Sequence, residues 1–199
     1  MSNPSEHPAP PLGVIHDIGY RPYAGPRLGE LSVARSLFVT GLRNCYGLGR
    51  STRSKVLPVL LFIAMVLPAL IMVAVMVQLK VDQQLLPYSR YAMVTQLVIS
   101  VFVASQAPAL ISRDLRFRTI TLYLARPLRR STYVLVRFAS LTAAVFVLVV
   151  APIVLLYAGG LLADLPIGRE TGDFVPAVVA AVILAMVLAG LSALASAVT

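Results

Sequence analysis

The chain's reactive groups are few and scattered. Its imidazoles, His7 and His16, lie in a Pro-rich amino-terminal region, and its single thiol is Cys45. Zinc and haem sites need ligands of this kind to converge, and hydrolytic catalysis needs a nucleophile beside an oriented base. Neither pattern is present. Cys45 makes no internal disulfide and suits a small apolar position on a helix face. The stretch Gly47-Leu48-Gly49-Arg50-Ser51 superficially resembles a phosphate loop. However, Arg50 stands where that motif needs Lys, Asn44 stands where it needs its first Gly, and no strand leads into it. The chain therefore reads as a non-enzyme that binds no cofactor and does not hydrolyse ATP alone.

The remaining polar side chains that matter sit among apolar ones: Gln78, Thr95, Gln96, Ser100, Ser105, Gln106, Ser140 and Thr142. Gln96, Ser100, Val103 and Ala107 share one side of a helix at 100° per residue. Such a stripe serves either interhelical packing or a substrate path. Proton- or sodium-coupled carriers need an ionisable group inside the membrane. The apolar stretches lack one, which argues against a secondary carrier.

Four uncharged stretches must carry these groups: residues 56–79, 91–112, 138–163 and 174–199, of 24, 22, 26 and 26 residues. About 20 helical residues cross a hydrocarbon core about 30 Å thick, so each is long enough. The composition is 58% apolar with a mean hydropathy of +0.85, above the ordinary globular range of about 45–50% apolar. The expected fold is an all-α integral membrane protein with an amino-terminal interfacial amphipathic helix and four spans, set at 56–79, 91–112, 134–160 and 174–199. Pro68 and Pro152 fall inside spans and should bend them. Ala181, Ala185, Ala189, Ser192 and Ser196 recur every four residues or nearly so, which lets another helix approach closely.

Charge placement orients the spans. Of 17 Lys and Arg, seven precede the first span and seven lie between Arg113 and Arg137; only Lys80, Arg90 and Arg169 occupy the other two connections. The positive-inside bias puts the amino terminus and the connection between spans two and three in the cytoplasm. The formal charge of +9 is met by anionic lipid headgroups at the membrane boundary, and nucleic acid is not an expected partner.

Along the chain, residues 1–13 read as a disordered tail and 14–55 as a cytoplasmic leader and interfacial helix. Residues 56–199 form the transmembrane domain, with a cytoplasmic segment at 113–133. No signal-peptide pattern opens the chain: six prolines fall in the first 26 residues without an apolar core. From Leu31 to Leu48 the period becomes helical. Leu31, Ala34, Leu37, Phe38, Leu42 and Cys45 gather on one side, predicting a helix in the cytoplasmic interface whose apolar face sinks among acyl chains, with a packing helix of a soluble domain as the alternative. Arg35 and Arg137 are expected to extend toward cytoplasmic headgroups. The segment after span two contains Leu115, Phe117, Ile120, Leu122, Tyr123 and Leu124 among its arginines, and so needs a surface to cover it.

The words Ser112-Arg113-Asp114-Leu115-Arg116 and Leu122-Tyr123-Leu124-Ala125-Arg126-Pro127-Leu128-Arg129-Arg130 resemble the connection between spans two and three in permease subunits of type-2 ATP-binding-cassette (ABC) transporters. The leader Ile15-His16-Asp17-Ile18-Gly19-Tyr20-Arg21-Pro22-Tyr23 is similar to leaders of one bacterial subgroup of that family. Arg118-Thr119 departs from the family's Gly-Thr pair. The resemblance implies an exporter permease of six spans, of which this chain would be an incomplete piece. It also implies a separate cytoplasmic ABC ATPase that holds ATP and magnesium, and a second permease copy. By the same resemblance, Arg113, Asp114, Arg116, Leu122, Tyr123, Leu124, Arg126 and Pro127 would form the ATPase-coupling interface in a bacterial-type plasma membrane, while the polar stripe itself offers Gln96 with Ser100 as a possible substrate path. A non-transporting membrane scaffold or regulatory protein is the alternative.

Overall fold

A computed structural model describes residues 25, 29–49, 52–80, 83–108, 110 and 129–198. These form helices and no strand: α1 (Glu30–Cys45), α2 (Thr52–Leu79), α3 (Tyr88–Val94), α4 (Gln96–Ala107), α5 (Arg130–Leu162) and α6 (Ile167–Val198). The tail at 1–13 and most of the leader lie outside the described residues, as does most of the cytoplasmic segment.

Three helices are long and apolar enough to cross a membrane: Arg53–Leu79, Arg130–Leu162 and Ile167–Ser196. The region read as the second span is instead two helices joined at Thr95. There the hydroxyl donates to the Tyr91 carbonyl at 2.8 Å, a local bond of the kind that bends helices. Together residues 88–107 rise about 30 Å at about 1.5 Å per residue.

α5 is the central element. Half of its most apolar window is buried, against 22% for α2 and α6. Its buried positions, Leu141, Ala144, Val145, Leu148, Val149, Ile153 and Leu156, recur at helical spacing and meet α2 on one side and α6 on another. α2 answers with Leu61, Met65, Ala69 and Met76, and α6 with Ala177, Ala181, Ala185 and Ala189. The four-residue Ala repeat is thus a packing stripe, as its spacing implied. Their opposite sides expose Leu60, Ile63, Leu67 and Leu70 on α2, and Val179, Ile183, Val187 and Leu191 on α6. A row of such side chains is unfavourable in water and suits a lipid solvent.

α1 runs beside α5. Val33, Leu37, Gly41 and Cys45 form its inward stripe, while Leu31 remains 83% exposed. The pairs Glu30–Thr132, Phe38–Ser140 and Tyr46–Ala144 are separated by 102, 102 and 98 positions. A nearly constant offset over four turns means that the two helices advance in parallel. α1 therefore packs on the protein with its Leu37–Cys45 side. Arg137 is also placed differently from the expected headgroup contact. It is 6% exposed, close to where Gly41 would carry a side chain, with its guanidinium carbon 5.4 Å from the Tyr133 ring centroid. The ring face attracts the cation and the neighbouring α1 covers it.

α1 ends where Gly47, at φ +68°, turns the chain. The Leu48 N–H donates to the Arg43 carbonyl and the Gly47 N–H to the Asn44 carbonyl, at 2.8 and 3.1 Å, the paired bonds of a Schellman cap. The stretch with superficial phosphate-loop similarity is thus, up to Gly49, a helix terminus.

Candidate functional site between the α3–α4 arm and α6

The coupling residues inferred from resemblance, Arg113, Asp114, Arg116, Leu122, Tyr123, Leu124, Arg126 and Pro127, all lie outside the described residues. The inferred path residues lie within them. Gln96 and Ser100 face a groove of about 430 Å³ between the α3–α4 arm and α6. Ile99, Ala181, Leu184 and Leu188 also line it, with Ile153 of α5. Both polar residues are exposed. The Ser100 hydroxyl donates to the Gln96 carbonyl at 2.8 Å, so its proton is already committed to its own helix. The Gln96 amide is left as the groove's stronger polar handle.

A second cavity of about 250 Å³ lies where the α2–α3 and α5–α6 connections meet. Gln83, Gln84, Arg169, Glu170 and Asp173 line it, and Tyr88 borders both cavities. Glu170, in the first turn of α6, is 4% exposed, and Tyr88 is 2% exposed. The Tyr88 hydroxyl and Gln84 Nε2 both donate to Glu170 Oε2, the latter at 2.7 Å. Gln84 Nε2 also donates to the Tyr88 hydroxyl at 2.5 Å. These donors are neutral, so hydrogen bonding holds the buried carboxylate without a formal counter-charge among these contacts. Gln84 Oε1 is enclosed with no donor.

Aromatic packing fixes this end. Phe174 stacks on Tyr157 at 4.4 Å and meets Tyr88 edge-on at 6.2 Å. Tyr157 and Thr171 share a 3.0 Å hydrogen bond. Gly160 gives the cluster room: a Cβ there would lie 2.9 Å from Gln84 Nε2 and 3.1 Å from Glu170 Oε2.

Sequence reading placed Gln96 and Ser100 on one face but missed Glu170, Tyr88 and Gln84. The expected fourth span began at residue 174, whereas α6 begins at Ile167. Pro166, just before a run with an acidic residue in its first turn, was the available signal of the earlier start. No three-ligand cluster of His, Cys, Asp or Glu occurs among the described residues.

No protein-family model matches the chain, and neither does any curated protein or solved structure.

Proposed function

We propose that this chain is the membrane-embedded permease subunit of an ATP-driven exporter of the type-2 ABC class. In this reading it works as a dimer with a separate cytoplasmic ATPase. The observation that carries the reading is the pair of residue words at 112–116 and 122–130, set in an arginine-rich connection whose apolar side chains need a covering surface. Three long apolar helices support membrane placement. The α3–α4 arm, with its rise of about 30 Å, is taken as a fourth crossing, and arginine placement sets the amino terminus inside.

The architecture suits force transmission. The segment at 113–130 leads directly into α5 at Arg130 and follows α4. Closure of ATP-loaded partner subunits would push Leu122, Tyr123, Leu124 and Pro127, with Arg113, Asp114, Arg116 and Arg126 fixing their orientation. That push would enter α5 and α4 together. α1, seated on α5, would move with it. α4 has a bend at Thr95 about which to tilt, and tilting it relative to α6 changes the groove that holds Gln96 and Ser100.

Co-purification tests the reading. An ATPase bearing a Gly-rich phosphate loop should accompany the tagged chain, and Leu122→Asp or Tyr123→Asp should remove it while membrane insertion persists. A non-ATPase partner in its place would instead favour a scaffold.

A further inference from the structure

We infer that the two cavities joined at Tyr88 form one binding site for a phospholipid whose headgroup carries a primary ammonium and a phosphate. This inference uses the membrane placement proposed above but not the coupling to an ATPase.

The two cavities differ in chemistry and share a wall. The groove on the apolar side runs along α6 from Ala177 to Leu188, about 17 Å at about 1.5 Å per residue. Its lining is mainly Ala, Ile and Leu, and its Ala180, Met93 and Ser100 are exposed. An acyl chain matches that shape and polarity. Gln96, about 12 Å along the helix from Tyr88, offers an amide donor to an ester carbonyl.

The second cavity sits above the first, at the connections. Its volume of about 250 Å³ is many times the space one water needs, about 10–15 Å³, which leaves room for a phosphoethanolamine headgroup. Its charges are of both signs: Glu170 and Asp173 on one hand, Arg169 on the other. Carboxylates alone would favour a simple cation, but the guanidinium beside them calls for an anionic group on the same ligand, and Arg matches phosphate geometry well.

The carboxylates narrow the class further. Glu170 and Asp173 line one cavity from the same helix end. A primary ammonium brings three N–H donors, enough to bond both carboxylates at once. A quaternary ammonium brings none.

The full-length chain is purified in micelles containing equimolar dioleoyl phosphatidylethanolamine, phosphatidylcholine and phosphatidylglycerol, and retained lipid is counted by native mass spectrometry. The ethanolamine lipid should be retained over the other two by about ten-fold, the margin of one charge-assisted hydrogen bond. Glu170→Gln keeps an acceptor for Tyr88 and Gln84 but should abolish that preference. Asp173→Asn, at an exposed position, should weaken it. Ala180→Phe, an exposed groove residue, should lower retention of all three lipids. Equal retention by the native chain overturns the inference, as does an ethanolamine preference unchanged in both carboxylate variants. Neither result bears on ATPase partnership, which co-purification judges separately.

Discussion

Gly41 of α1 lies so close to Ser140 of α5 that a Cβ added to it would stand 2.7 Å from the serine Oγ and 2.9 Å from its Cβ. Ser140 itself bonds its own helix at the Val136 carbonyl, at 2.8 Å, and lies 3.2 Å from the Phe38 carbonyl of α1. Missing side-chain bulk on one helix and a short polar side chain on the other let the backbones approach closely, as small residues do where helices pack in lipid. Tyr46 extends the same contact by donating to the Ala144 carbonyl at 2.8 Å. α1 is thereby tied to the central helix.

Gly41→Ala should consequently lower the midpoint of thermal unfolding in micelles, at a cost of about 1–3 kcal/mol for forced repacking. Ser140→Gly removes both atoms that the new methyl would strike. The double variant should therefore be more stable than the sum of the single effects predicts, by about 0.5–3 kcal/mol. Strict additivity would mean that α1 does not sit on α5 at this point.

Two other glycines predict opposite outcomes. Gly159 faces Val73 of α2 so closely that an added Cβ would overlap both valine methyl groups, so Gly159→Ala should destabilise by about 1–3 kcal/mol. Gly172 in α6 has nothing within 4 Å of where its Cβ would be. Gly172→Ala should stabilise by about 0.5–1 kcal/mol, since alanine loses less backbone freedom in a helix. Parallel melting curves of the two variants test both signs.

Much of this architecture is legible in the sequence, for identifiable reasons. Arg53, Arg130 and the apolar runs that follow mark helices long enough to cross a membrane, because a run of that length without charge leaves little ambiguity. The small-residue repeat from Ala181 to Ser196 announced its packing role. The break at Thr95 did not show, because a threonine hydroxyl can bond its own helix or another partner with the same local sequence. Arg137 was misjudged because its cover comes from α1, distant in the chain. Glu170 escaped because hydropathy marks where apolar residues begin, whereas α6 starts seven residues before the expected span, at Ile167 rather than residue 174. Its partners Gln84 and Tyr88 are 86 and 82 positions away, and no local pattern encodes such pairings.

Pro68 leads to a further expectation. Proline removes a backbone donor and bends the helix, which weakens nearby carbonyl bonding. Within the affected turn of α2, the Met65 carbonyl accepts a hydrogen bond from the buried Tyr91 hydroxyl at 2.5 Å. Tyr91→Phe preserves the ring packing but takes this donor away, and should cost about 1–3 kcal/mol. Pro68→Ala in the same background should recover part of the loss by restoring regular helix bonding. Calorimetry of the single and double variants in one detergent decides whether tyrosine and proline are coupled.

The amino-terminal end of α1 should respond to acid. Glu30 accepts a 2.8 Å hydrogen bond from the Thr132 hydroxyl and a longer one, 3.4 Å, from the Arg129 backbone N–H. The Thr132 hydroxyl, then the backbone donor and the nearby Arg129 charge, hold its carboxyl below the ordinary carboxylate range. Because the folded-state value is depressed, the contact favours the docked helix above the unfolded carboxylate value of about 4.3. That support is lost as pH falls through the lower folded value. A spin-label pair on α1 and α5 should show unchanged separation at neutral pH and increasing fraying of the α1 start on acidification below about pH 4. Glu30→Gln retains an acceptor oxygen but cannot titrate, and should flatten the response. If that variant frays along the same acid curve, another group governs the α1–α5 contact.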